Sequence, residues 1–167
     1  MKFIRLLALP LLLLVSCLAW SASLSDYAEN KLVDHLFRAT AYSESTPASY
    51  HVALFTTSCT DAAVGTEVSG GSYARISVTR ATTSWTGTHG TTTGASSGTN
   101  GTISNAAAIQ FAAPTANWGS VTAFAVMDAS TGGNPIVCNN LTTPKTVNNG
   151  DAAPSFSIGA LTIQIDN

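Results

Sequence analysis

The chain has 167 residues, of which only 10% are charged and 45% are hydrophobic. With the first 22 residues set aside, five basic side chains (Lys31, Arg38, Arg75, Arg80 and Lys145) face nine acidic ones, a net charge of −4. Positive charge this sparse and scattered excludes a nucleic-acid partner held by counterion release. Residues 23–167 amount to one domain, long enough to bury a core without a metal or a cofactor.

Lys2 and Arg5 precede an apolar run over residues 6–15, interrupted only by Pro10, and no further charge appears until Asp26. Such a run is too short to cross about 30 Å of hydrocarbon, so residues 1–22 read as a signal peptide or a lipoprotein signal. Ala19-Trp20-Ser21 fits cleavage after Ser21. Leu14-Val15-Ser16-Cys17 fits a lipobox, which makes Cys17 the lipidation candidate. A retained or misassigned start is the third alternative. The first two place the protein in the periplasm, outside the cell or at the outer membrane, touching membrane only through the signal or a lipid anchor.

Asp26 and Glu29 form a helix start signal, and Ala28, Leu32, Val33, Leu36 and Phe37 follow at helical spacing. The spacing predicts a helix over residues 26–38 with Leu32, Leu36 and Phe37 facing a sheet. After Pro47 the period changes from about 3.6 to 2. Residues 50–56 are almost wholly apolar. Ala74, Ile76 and Val78 alternate with polar neighbours, as do Ala107, Ile109 and Phe111. Residues 121–127 are apolar on both faces and read as a central strand. Residues 136–138 and Thr146-Val147 read as further strands, the latter leading into Asn148-Asn149-Gly150-Asp151, a hairpin signal. Phe156 and Ile158, then Leu161, Ile163 and Ile165, close the pattern. Seven or eight short strands with Gly, Asn and Pro turns predict a mainly β fold. The expected form is an antiparallel β-sandwich, Greek-key, Ig-like or jelly-roll-like, with one N-terminal α-helix.

Residues 79–102 are rich in Thr, Ser and Gly and read as an exposed, flexible loop. Removing residues 84–98 is accordingly expected to leave thermal stability almost unchanged. Trp85 and His89 within that loop, and Trp118 near a strand end, are the candidates for contact with a ligand or another surface. Tyr73 and Arg75 share a predicted strand face, where cross-strand packing explains them as well as recognition does. Cys59 and Cys138 are either a disulfide, favoured by an oxidising compartment, or two separate buried thiols.

No catalytic constellation emerges. Gly94-Ala95-Ser96-Ser97-Gly98 matches the G-x-S-x-G pattern, but a nucleophile elbow needs a buried strand before the serine and a helix after it. Here both flanks are Thr, Ser and Gly. His35, His51 and His89 have no partners at metal-ligand spacing, so no metal site is assigned.

Several segments taken together resemble a family of small phage tail-fibre or tail proteins. They are residues 24–37, Tyr50-His51-Val52-Ala53-Leu54-Phe55-Thr56, and residues 65–75 ending in Gly70-Gly71-Ser72-Tyr73-Ala74-Arg75. Ser104-Asn105-Ala106-Ala107-Ala108-Ile109, Ala116-Asn117-Trp118-Gly119-Ser120-Val121-Thr122, residues 141–147 and Gly150-Asp151 continue the series in the same order. The resemblance implies a non-enzymatic virion component, assembled in several copies with other virion or tail subunits, and host attachment through a cell-surface glycan. Virion assembly in the cytoplasm requires no export signal. The leading segment therefore also admits a secreted or lipid-anchored binding module of prophage origin.

Overall fold

A computed structural model describes residues 23–38, 47–87 and 101–164. In chain order the elements are β1 (Ser23–Leu24), α1 (Asp26–Phe37), β2 (Ser49–Phe55), β3 (Ile76–Thr79) and β4 (Trp85–Gly87). They continue with β5 (Thr102–Asn105), β6 (Ile109–Gln110), β7 (Gly119–Met127), β8 (Pro135–Val147), β9 (Ser155–Phe156) and β10 (Thr162–Gln164). All pairings are antiparallel. One sheet has the order β1-β8-β7-β2-β3, a second β10-β5-β4, and β6 pairs with β9. The fold is the mainly β sandwich that the period-two pattern predicts, with one helix at its N-terminal end.

The large sheet is apolar on both faces because its central strands are. In β2, Val52 and Leu54 point to one cluster while Ala53 and Phe55 point to another. In β7, Val121, Phe124 and Val126 join the first cluster, and Ala123, Ala125 and Met127 the second. Strict alternation would put Val121 and Phe124 on opposite faces. A break in register between Val121 and Ala123, where residues 141–144 of β8 bulge away, restores both to the same side. The first cluster is closed by Trp85, Ile109, Phe156, Leu161 and Ile163 from the smaller sheets and their connections. The second is closed by the segment carrying Cys59 and Val64.

The helix differs from expectation in its orientation. Ser25 caps it, accepting from the Ala28 amide, and is fixed to β8 by a hydroxyl bond to the Pro135 carbonyl and by its own amide to Ile136. Ala28 is the buried helical residue. Leu32 is only half-buried, and Leu36 and Phe37 are exposed instead of facing the sheet. The reason is local: the cap ties the first turn to the sheet edge, where the small Ala28 allows close approach, and the later turns project outward.

Two further expectations change. The Asn149-Gly150 turn forms, with Gly150 at φ 81°, but it does not make a hairpin. Its amides bond to the Asn117 side chain and the Pro114 carbonyl, so the chain is led away and β9 pairs with β6. Nor are residues 79–102 loop throughout. Trp85 opens β4, pairs opposite Asn105 and is buried. Removing residues 84–98 would therefore delete a strand and a core tryptophan. His89, Ser96 and Ile165 lie outside the described residues. Ile158 sits in the connection after β9 and is exposed.

Asn105 is the polar residue on which the smaller sheet depends. It is 1% exposed. Its Nδ2 donates to the carbonyls of Ala107 (2.7 Å) and Ser157 (2.8 Å), and its Oδ1 accepts from the Leu161 amide (2.9 Å). One side chain thereby satisfies three backbone groups that no ladder reaches. Asn105→Ala leaves the Ala107 carbonyl and the Leu161 amide without that partner, while the Ser157 carbonyl keeps the bond from the Ala160 amide, and is expected to destabilise the domain by about 2 kcal/mol, read as a lowered urea midpoint with an unchanged slope.

Candidate functional site

Between the large sheet and the β10-β5-β4 sheet lies an open apolar recess of about 460 Å³. Leu24, Ile103, Ile136 and Ile163 form much of its wall, and Trp85, Tyr50 and Arg80 also line it. Four neighbouring strands of the large sheet (β1, β8, β7 and β2) and all three of the smaller sheet contribute, which places it where the two sheets separate. Trp85 lines the recess while being only 8% exposed. The Arg80 amide donates to the Ala48 carbonyl (2.9 Å), while its exposed guanidinium has no partner among the described residues. An apolar recess with an aromatic wall and an unengaged cation suits a ligand that offers an apolar face and a polar or anionic edge.

Trp118 is placed differently. It is buried edge-on against Tyr73 (5.4 Å between centroids) and Phe111 (6.4 Å). Its Nε1 donates to the Gly71 carbonyl at 2.9 Å. The Gly70-Gly71-Ser72 turn holds three successive positive φ values, and a Cβ on Gly71 would meet Ala116 and the indole nitrogen. Trp118 is thus 5% exposed and its donor is engaged within the fold. Cys59 and Cys138 are joined as a disulfide in the structure, with Cα atoms 6.2 Å apart. Cys17 and His89 lie outside the described residues. Among the described residues there is no cluster of metal-ligating side chains, and no helix is long and apolar enough to cross a membrane.

The most strongly coupled polar group is one the sequence only hinted at. Arg75 grips Glu67 through two bonds (2.8 and 2.7 Å) and donates to the carbonyls of Ala129 (2.7 Å) and Gly132 (2.8 Å). It thus fixes the turn between β7 and β8. Tyr73 donates to Glu67 (3.0 Å) and accepts from the Leu54 amide (2.9 Å). Burial raises the Tyr73 hydroxyl well above its ordinary range, so it stays protonated and a donor. For Glu67, burial alone would raise the pKa, yet the bonds from Arg75 and Tyr73 outweigh it and hold the carboxyl below the ordinary 4.5.

The profile of the family described as Podophage GP4 fiber I protein gp80 matches residues 23–164. The chain belongs to this family. The match begins at the first residue of β1 and ends at the last residue of β10, so it spans every described element. The protein is accordingly a phage tail-fibre-like structural protein, and its family associates with other virion components. No curated protein matches the chain.

Within this fibre-family fold, the recess unites residues that are far apart in sequence. Trp85 belongs to it, whereas Tyr50 and Arg80 were not singled out. The only sequence signal for Arg80 is a cation just after a strand, in a chain with few cations. The Glu67 group carries a testable acid dependence. A depressed folded-state pKa stabilises the protein fully above the unfolded value, and that contribution is lost as pH falls through the folded one. Urea unfolding of the wild type should therefore weaken between about pH 5 and about pH 3, and Glu67→Gln should lose less over that window. Arg75→Ala, which strands a partly exposed carboxylate and two carbonyls, should cost about 2–3 kcal/mol at neutral pH.

Proposed function

We propose that the protein is a virion-exposed fibre subunit, assembled in several copies with other tail subunits, that contributes to host attachment by engaging a cell-surface glycan at the recess. The family match over the whole described fold carries this reading. The recess supplies the place: Trp85 and Tyr50 offer apolar contact to a sugar ring, and the Arg80 guanidinium offers donors to its hydroxyls or to an acidic substituent. The reading is of a structural, non-enzymatic subunit, in keeping with the fibre family. Mass spectrometry of purified particles should find peptides of this chain in stoichiometric amounts. Particles carrying Arg80→Ala should adsorb to host cells roughly tenfold more slowly, the effect of about 1.4 kcal/mol, with unchanged thermal stability. Normal adsorption by that variant would remove the recess from the reading while leaving the fibre role intact.

A second reading is favoured by the Cys59–Cys138 disulfide together with the basic and apolar leading segment. In it, the same domain is a secreted or lipid-anchored surface module of prophage origin. Its mature form would begin at Ala22 or at an acylated Cys17. Comparison of non-reduced and reduced peptide maps should then show residues 59 and 138 linked; free thiols in the exported protein would count against it.

A further inference from the structure

The recess between the two sheets carries one sign of charge. Arg80 is the one charged side chain among the described residues that line it, and no Asp or Glu joins them. The surrounding domain is acidic, with five basic side chains against nine acidic ones over residues 23–167. Its other cations are placed differently. Arg38 is paired with Asp34, Arg75 with Glu67, and Lys31 lies over the Tyr27 ring. Lys145 lines a separate recess of about 400 Å³ beside Val121 and Phe156, but Asp151 lines it too. Arg80 and Trp85 are brought to the same recess by a tight turn. The Arg80 amide donates to the Ala48 carbonyl, and the Ser84 and Trp85 amides both donate to the Ala81 carbonyl (3.0 and 3.1 Å). The backbone that carries the cation and the aromatic is therefore fixed without a ligand.

We propose that the recess selects acidic sugars: its ligand is a sugar ring bearing one carboxylate, with the ring's apolar face on Leu24, Ile103 and Ile136 and the carboxylate on the Arg80 guanidinium. This inference rests on the glycan reading above and narrows it to a ligand class. Three physical arguments favour a carboxylate. A cleft with apolar walls and one sign of charge focuses its field on an entering ion, so an anion gains more here than on open surface. The planar guanidinium offers two parallel donors that match the two carboxylate oxygens. The count of charges also matches. A phosphate group carries about −1.5 to −2 at neutral pH, and one arginine would leave part of that charge uncompensated against an already acidic domain. A neutral sugar would leave the cation with neutral acceptors only, which form the weaker bond.

Titration of the full chain with methyl glycosides of glucuronate and galacturonate, and with those of glucose and galactose, tests this. Binding is followed by NMR shifts of the Trp85 indole and of the Ile103, Ile136 and Ile163 methyl groups. At least one uronate should bind at least about tenfold tighter than its neutral counterpart at low salt, and the gap should narrow as salt rises. Arg80→Gln should abolish the preference by weakening uronate binding alone, and Arg80→Lys should restore part of it. Unfolding midpoints should stay level across the three proteins, because the side chain is exposed. Equal affinity for each uronate and its neutral sugar would overturn the acid preference and leave the glycan reading in place. Binding of neither set would overturn both. A preference that survives Arg80→Gln would also overturn the proposal, since the carboxylate would then sit elsewhere, and so would tighter binding of the matching sugar phosphates.

Discussion

The structure depends on β7, a strand buried on both faces. β7 lies between β8 and β2 and sends its two alanines to one face and Phe124 with two valines to the other, Met127 joining the alanines at the strand's end. Val121, Phe124 and Val126 fill the thick space under the smaller sheets, and Ala123, Ala125 and Met127 fill the thin space under the Cys59 segment. A slip of one residue would exchange the sets, pressing Phe124 into the thin side and leaving alanines under the thick one. The register is therefore strongly specified. The same demand goes with the break in register at Thr122, which residues 141–144 of β8 face and across which Val121 and Phe124 join one layer.

This two-sided burial was legible because it leaves an unbroken apolar run, and β2 declares itself in the same way. What stayed hidden in the sequence is what period alone does not encode. Helical spacing in α1 shows an apolar stripe but does not say whether that stripe or the small Ala28 meets the sheet. The cap at Ser25 decides, through bonds to residues more than a hundred positions away. The Asn149-Gly150 pair marks a turn correctly, yet the pairing partner of β9 is set by β6. Trp85 looked like a loop residue because Thr, Ser and Gly surround it. Its burial comes from pairing with β5 across a connection whose composition hides the strand.

The candidate site shows the same limit. Arg80, Trp85 and Tyr50 meet only because two sheets open at one place, and no local motif announces them. The polar side chains that are deeply engaged, Asn105, Arg75, Glu67 and Tyr73, are instead consumed in holding backbone. Asn105 secures the connection into β10, and Arg75 secures the turn after β7. In a protein so poor in charge, these few groups do the fixing that a longer core or more ion pairs would do elsewhere. The surface is left to hydroxyls and amides, a composition suited to a structural protein of the fibre family.

The junction at Cys138 joins three parts of the fold. Cys138 pairs with Ser23 across β1 and β8 and is bonded to Cys59. The Cys59 segment in turn reaches the helix, since the Asp61 carbonyl accepts from the Asp26 amide. Were the disulfide the sole tie, its reduction would free the segment and loosen the helix start. It is not the sole tie. The Asn140 side chain bonds both the amide and the carbonyl of Cys59 (3.0 and 3.2 Å), mimicking a strand pair at the same point. Two neutral hydrogen bonds contribute about 1 kcal/mol each, so the Cys59 segment is tied to β8 by more than the covalent bond. The disulfide and the Asn140 amide thus hold the same point of the Cys59 segment against β8.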